Sequence, residues 1–504
     1  MNEISLPTQS QNKYYTREEI RSIEYNEILS GKNELTLMQN AGFGISEYVK
    51  SLNPKYVTVL CGTGNNGGDG IVAAGELSSY CEVKLILLGQ PKTESSKSML
   101  LKYSNSIRSI SYIDTLNIDN LFLELNTADC IIDAIFGIGL EVIPREPHLS
   151  ILNLYSKLNN NKIISIDIPS GLDANTGEWY CNSYIPHSIL TMQYFKAGLK
   201  DLKNLCEIKV IDIGIDRNSE IFVGPGHVHN FLPKRDINSY KGINGRLMVI
   251  GGSDEFTGAP VLSGMAALRS GIDTLRIAVP STIRDIVASY AMDFIVVKVE
   301  GERLTIKEFK KYRDLTTHRH DVVAIGMGMS NHPECYKFAR DLFRHIKDKL
   351  KVVLDADAIR AFKGYLDDIR GSGVIITPHK AELRTILDEK IPSDFDDLVQ
   401  FLQQKALDLN IIILLKGRID IITDGERTIL NRTGHMGMTV GGTGDVLAGL
   451  TAGINCFIED KFWATAVASY IMGKAGELAA KKFGNSLLAS DVINEISNVL
   501  LEFI

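Results

Sequence analysis

A short, nearly unbroken apolar run that ends in a glycine turn and gives way to a helical stretch recurs along this chain. It begins at Lys55 with YVTVL before GTGNNGGDG and returns as CEVKLILLG, ADCIIDAIFG, NKIISIDIPSG and CEIKVIDIG. Strands apolar on both faces, alternating with helices, belong to parallel sheets covered on both sides. After a polar stretch with two prolines, placed as the boundary between about Ile215 and Pro233, the pattern starts again: RLMVIGGS, TLRIAVP, DVVAIGMG, KVVLDADA, GVIITPH and IIILLKG. These too read as buried parallel strands.

Two such series in 504 residues call for two α/β domains, since one core stops growing at roughly 250–300 residues. The fold class expected is an N-terminal Rossmann-like three-layer αβα domain followed by a ribokinase-like αβα domain. A helix around Glu18 to Gly44, with Leu35, Met38 and Ala41 at helical spacing, is expected to pack against the first sheet.

The net charge of −7, with no dense Lys/Arg tract, speaks against nucleic acid as a partner. The seven cysteines are scattered, outside any CxxC or Cys/His cluster, and read as reduced. The stretch Met1 to Arg21 has no apolar signal-peptide core and no apolar run is long enough to span a bilayer, so a cytoplasmic protein without a membrane partner is expected.

In the first half, five glycines fall within Gly62–Gly70, directly ahead of the helical IVAAGEL. Such a turn lets backbone approach a ligand and offers helix N–H groups to a phosphate; Asn65, Asn66 and Asp69 add side-chain donors and acceptors. A tight strand-to-helix turn with no ligand is the plainer alternative. Two further strand ends, Asp133–Leu140 and Asp167–Asp173, point to the same sheet edge, where open α/β sheets bind ligands. Asn66, Asp133 and Ser170 together offer oxygen ligands to a monovalent cation, although an aspartate at a strand end also serves as a cap or turn residue.

NNGGDG, DAIFGIGL and DIPSGLDANTG resemble the YjeF N-terminal family, the NAD(P)H-hydrate epimerases, over roughly Tyr14 to Asp216. The resemblance implies interconversion of R- and S-hydrated NADH or NADPH at ring carbon C6. By position, it implies that the ligand is lined by Asn65, Asn66, Gly67, Gly68, Asp69, Gly137, Ile138, Gly139, Leu140, Glu141, Val142, Ile143 and Asp167. It also implies that K⁺ is held by Asn66, Asp133 and Ser170, with Asp167 the proton shuttle. The chain departs from the family at Gln39, where Glu is usual, and at Pro186–Thr191, where an acid-bearing strand is usual.

In the second half, glycines crowd Gly434–Gly449 ahead of an apolar helix, and GGTGD opens that helix. Backbone N–H groups of Gly442 to Asp445 form an anion hole suited to a transferring phosphoryl group, and Asp445 sits where a carboxylate takes a proton from an attacking hydroxyl. A helix cap is the plainer role for this aspartate. GGTGD resembles the ribokinase-like superfamily. Joined with KGING, GGS, TGAP, LDADA, TPHKAEL and LKGR in this order, it resembles the C-terminal YjeF family, the ADP-dependent NAD(P)H-hydrate dehydratases, over roughly Val228 to Leu501.

That resemblance implies that Ala259, Gly328, His379 and Asp445 contact the hydrated nicotinamide nucleotide. Lys416, Gly417, Arg418, Ile419, Asp420 and Gly444 would contact ADP, with Mg²⁺ as cofactor and Glu382 reaching it through water. His379 also reads as a simple loop cap. The departures here are Tyr240, Gly326–Met329 and His435–Met436.

The domains expected are 1–216, an epimerase, and 226–504, a dehydratase, in a homo-oligomer whose small-molecule ligands are NADHX or NADPHX and ADP. Two other readings stand beside this one: a ribokinase-like small-molecule kinase, and a noncatalytic nucleotide-binding N-terminal module.

Overall fold

The computed structural model describes residues 13–113, 117–158, 162–305 and 320–503, and the chain forms two compact units that part between Ser219 and Glu220. The expected polar start, 1–12, lies outside the described residues.

In the N-terminal unit, strands β1 (Tyr14–Tyr15), β2 (Tyr56–Cys61), β3 (Glu82–Leu87), β4 (Ser109–Tyr112), β5 (Cys130–Ala134), β6 (Lys162–Ile166), β7 (Ser188–Met192), β8 (Phe195–Lys196) and β9 (Glu207–Ile211) follow in order. Seven of them make a wholly parallel sheet, ordered β4-β3-β2-β5-β6-β7-β9. Its apolar runs are explained by burial on both faces. Val57, Val59, Ile132 and Ile164 pack under Ile23, Ile45 and Ile71, while Leu60, Ile86 and Ile131 pack under Leu121 and Ile151. The chain leaves β2 toward β3 on one side and returns to β5 on the other, so the crevice of a doubly wound sheet opens beyond Cys61 and Ala134.

The helix expected over Glu18–Gly44 is two helices, Arg17–Leu29 and Glu34–Ser51. Gly31, at φ +108°, breaks the first, and the Asn33 side chain caps the second by accepting from the Leu35 N–H. β1 pairs in parallel with β8 in a separate two-stranded sheet.

The C-terminal unit is built on β10 (Arg246–Ile250), β11 (Thr274–Pro280), β12 (Ile295–Val299), β13 (Val322–Ile325), β14 (Lys351–Leu354), β15 (Ile375–Ile376), β16 (Ile412–Leu415), β17 (Asp420–Thr423) and β18 (Thr428–Asn431). They form one sheet ordered β12-β11-β10-β13-β14-β15-β16-β17-β18. The parallel arrangement expected holds through β16, but β17 and β18 run antiparallel as a terminal hairpin. The polar stretch after Gly214 is also less of a linker than its composition suggests. Val223 and Val228 are buried in the C-terminal core, and Phe231 stacks on Trp463 with centroids 4.5 Å apart.

Candidate active sites

In the N-terminal crevice the glycine loop divides its labour. A Cβ on Gly62 would lie 1.9 Å from the Ile135 carbonyl oxygen, and one on Gly67 would lie 2.0 Å from that of Gly62, so these glycines allow backbone to touch backbone. Gly64, with open space around it, is the N-cap of the helix Asn65–Leu77 and supplies no side-chain cap, leaving the first helical N–H groups for a ligand. Gly137 faces this opening. A Cβ there would stand 3.1 Å from Asp167 Oδ2 and 3.3 Å from the Asn66 amide oxygen, which brings three expected site residues together.

Asp167 is held in the left-handed region at φ +68°, a conformation that costs a non-glycine residue about 1–3 kcal/mol and tends to persist at functional sites. Its backbone N–H donates to Leu190 O, and its carboxylate pairs with Lys196 Nζ at 2.5 Å and accepts from the Ile138 N–H. Lys196 also donates to Met192 O. The segment Pro186–Thr191, where the sequence loses an acid, therefore leads into a strand that serves the site through its backbone. Sequence reasoning missed Lys196; its signal was a lone lysine inside the apolar YFKAGL.

Arg17 was missed as well. Buried, it donates to the carbonyls of Ile138 and Leu140 and to Asp173 Oδ2, and lies 3.3 Å from Glu141. This one guanidinium fixes the shape of the Gly137–Ile143 loop, on which Leu140 is buried while Val142 and Ile143 are exposed. Burial would raise Asp173, but the N–H groups of Thr176 and Asn175, the Tyr180 hydroxyl and Arg17 together hold it down at about 2. Asn65 is tied to Glu34 at 2.9 Å. Burial, and next the charge of Asp167, push Asp69 well above the usual carboxylate range.

The three residues expected to hold a cation differ in availability. The Asn66 amide oxygen and nitrogen are buried with no hydrogen-bond partner. Ser170 Oγ donates to Asp133 Oδ1 at 2.6 Å. Asp133, wholly buried, has both oxygens engaged, with the Ser170 N–H, the Ser165 hydroxyl and the Tyr184 hydroxyl on Oδ2. It offers charge more readily than a free lone pair. An all-oxygen set with an orphaned amide oxygen fits a hard cation.

In the C-terminal unit the expected segments gather at the carboxyl edge of the sheet: Gly251 after β10, Gly326–Met329 after β13, Asp355 after β14, Thr377–His379 after β15 and Lys416 after β16. Gly328, at φ +67°, lies against Ala259, 3.0 Å from where its own Cβ would stand. Gly442 caps the helix Thr443–Ile454 at φ +95° without a side-chain bond. A Cβ on Gly444 would come within 3.3 Å of Lys416 Nζ, so the lysine reaches the turn that opens this helix.

Lys416 donates to Asp355 Oδ1 at 2.8 Å, which also accepts from Thr377 Oγ1 at 2.8 Å. Asp445, in the first turn of the helix, accepts no hydrogen bond through its carboxyl from the described residues; burial, and next Asp355, push it up to about 7 against the pull of Lys416. A half-buried carboxyl poised there is suited to take a proton near neutrality.

His379 is partly the cap foreseen: its Nδ1 accepts from the N–H groups of Ala381 and Glu382, and Glu382 Oε2 accepts from the His379 N–H. Its Nε2 lies 3.5 Å from Glu382 Oε1. Gly417 and Arg418 are exposed, whereas Asp420 is occupied, accepting from the Gly417 N–H, Ser469 Oγ and Asn431 Nδ2. Asp420 thus shapes the loop more than it can touch a ligand. No group of three or more His, Cys, Asp or Glu among the described residues is placed to cage a metal. Glu382 is buried, with Oε2 on the His379 N–H and Oε1 3.8 Å from Arg360, so Asp445 is the carboxyl here without a hydrogen-bond partner among the described residues.

A family model described as YjeF-related protein N-terminus matches residues 34–198, and one described as NAD(P)H-hydrate dehydratase matches residues 247–498. A protein of Archaeoglobus fulgidus named bifunctional NAD(P)H-hydrate repair enzyme Nnr is 37% identical, over 94% of this chain and 95% of its own. Its namesake in Pyrobaculum aerophilum is 36% identical, over 94% and 95% respectively. Among solved structures, a ribokinase-like superfamily protein of Enterococcus faecalis superposes with a TM-score of 0.50 at 21% identity, covering 56% of this chain and 96% of that one, a likeness of fold.

Proposed function

The chain belongs to the family of bifunctional NAD(P)H-hydrate repair enzymes, and from that premise we propose how its two units divide the work. The protein interconverts R- and S-NAD(P)HX and dehydrates the S form to NAD(P)H with ADP, releasing AMP and phosphate. Epimerisation belongs to the unit that ends at Ser219, dehydration to the one that begins at Glu220.

In the C-terminal unit, Asp445 takes the proton of the C6 hydroxyl as that oxygen attacks the terminal phosphate of ADP. AMP leaves, the ring nitrogen's lone pair expels phosphate, and loss of a C5 proton restores the dihydropyridine. Phosphorylation matters because hydroxide is a poor leaving group. Lys416, the N–H groups from Gly442 to Asp445 and the dipole of their helix receive the transferred charge. Ala259, Gly328 and His379 border the hydrated ring, and Gly417, Arg418 and Ile419 the adenine nucleotide, with Asp420 holding that loop. Glu382 would help to hold magnesium brought with the nucleotide, and the ion would spread the phosphate charge.

In the N-terminal unit, Asn65–Asp69 and the Gly137–Ile143 loop hold the hydrated nucleotide, and Asp167 moves protons at C6. Asn66, Asp133 and Ser170 would hold potassium, which would supply a fixed positive charge to the site.

The observation that carries this reading is Asp445, raised to about 7 and unpartnered at the head of an uncapped helix beside Lys416. Absorbance at the NADH band is followed when the protein meets mixed R- and S-NADHX with Mg²⁺ and ADP. Full recovery by the wild type and none by Asp445→Asn is expected. A stable phosphorylated product without recovery overturns the reading.

A further inference from the structure

On the helix whose two arginines grip the Gly137–Ile143 loop, within electrostatic reach of the Asp167–Lys196 pair, stands an acid with no structural employment. Arg17, Arg21 and Glu24 fall at i, i+4 and i+7 of the helix Arg17–Leu29 and so share one face. Arg17 grips the carbonyls of Ile138 and Leu140, and Arg21 pairs with Glu141 at 3.3 Å. That face is therefore turned to the crevice loop, and Glu24 continues it one turn further on.

The other acids of this helix are all employed. Glu18 accepts from Asn175, Glu19 closes the capping box with Thr16, and Glu27 binds Lys32, Ser219 and the Asp216 N–H. Glu24 is half-buried and makes no hydrogen bond or ion pair with any described residue. The charged groups around it are Asp167, Lys196, Glu34, Arg21 and Asp69. Burial, and next Asp167, push Glu24 up to about 7. A carboxyl kept out of water without a partner is a cost to the fold that a ligand can offset.

We infer that Glu24 is the second proton-transfer group of the N-terminal site, working with Asp167 on opposite faces of the ring carbon that inverts. The inference rests on the epimerase reading above. Glu24 gives its proton to the C6 oxygen, the C6–O bond breaks to release water, and the ring nitrogen's lone pair forms N1=C6. Water then adds from the other face and yields its proton to Asp167. One proton leaves Glu24 and one reaches Asp167, with water lost and water regained. The reverse direction uses the same two groups in exchanged roles, as a reversible inversion requires. Two carboxyl groups set apart by environment, one beside an ammonium and one unpaired, are suited to such a division.

The test uses the full chain and pure R-NADHX without ADP, with the epimers separated by chromatography. Glu24→Gln is expected to slow interconversion by about 100-fold or more and to abolish the limb near pH 7 in the kcat/KM profile, with Glu24→Asp recovering part of the rate. Dehydration of S-NADHX with ADP by the same variants stays at the wild-type rate and reports an intact protein. In H₂¹⁸O each inversion by the wild type places one labelled oxygen at C6, a readout that needs no variant. Retention of the original oxygen, or an unchanged rate and profile in Glu24→Gln, overturns the role of Glu24. A wild type that does not interconvert the epimers at all overturns the epimerase reading itself.

Discussion

Lys196 Nζ stands 2.5 Å from Asp167 Oδ1, with only 1% of the lysine side chain in contact with solvent. An ammonium so far from water is tolerable only because that carboxylate and the Met192 carbonyl surround it. Lys196→Met is expected to destabilise the N-terminal unit by about 3–5 kcal/mol, because it strands Asp167 among Glu24 and Asp69. Adding Asp167→Asn recovers part of the loss. Urea unfolding of the two single variants and the double variant measures the coupling.

Asp445 ties stability to pH in the opposite sense from an ion-paired acid. Its carboxyl is raised from 3.8 to about 7, so between those values the native state keeps a proton that the unfolded chain has released. Stability contributed by this residue therefore falls as pH rises from about 4 to about 7 and is level above. Asp445→Asn removes that slope and is expected to stabilise the C-terminal unit at pH 8 by about 2 kcal/mol while lowering dehydration 10²- to 10⁴-fold. Denaturation at pH 5 and pH 8, beside the absorbance assay, separates the two effects.

The nucleotide loop is open to a single methyl group. Gly444→Ala places a carbon 3.3 Å from Lys416 Nζ, close enough to shift the lysine, in a helix that otherwise tolerates alanine. A several-fold rise in KM for ADP with little change in melting temperature is expected. Lys416→Ala should cost more, since it also leaves Asp355 buried without its cation.

Gly62 and Gly137 border the same crevice but should respond differently to alanine. At Gly62 the new carbon would lie 1.9 Å from a backbone oxygen, and the variant is expected to be insoluble or strongly destabilised. At Gly137 it meets only the Asp167 and Asn66 side chains, so the fold should survive while epimerisation falls. Thermal melts and the R-NADHX assay distinguish the two.

Asn66 gives the cation reading a test independent of activity. K⁺ is expected to raise the melting temperature of the wild type by a few degrees relative to a large organic cation, and not that of Asn66→Ala. Equal shifts in both proteins would remove Asn66 from the ligand set.

The architecture was legible wherever an apolar run carried it. β2, β5, β6, β10, β13 and β14 are buried on both sides, so their composition names their place. The hairpin β17–β18 escaped although Asp424-Gly425, set between two short apolar runs, is itself a hairpin signal. Site glycines were legible because close approach demands them. Arg17, Glu24 and Lys196 were not, because a charged residue on a helix or beside a short strand reads as solvated until the fold carries it to the crevice. Asp420 shows the converse: its place in a recognisable motif was plain, but not that the Ser469 hydroxyl occupies it, whereas the cap foreseen at His379 is there.

Tyr14 and Tyr15 find their strand partners only at Phe195 and Lys196, about 180 residues later. On the ribosome, these two residues must therefore wait for nearly the whole unit to be made. At typical synthesis rates that is roughly 10–40 s, during which β1 has no strand to pair with. The pairing of β1 is thus among the later contacts that the unit makes. A chain interrupted before Phe195 lacks the strand that Tyr14 and Tyr15 pair with.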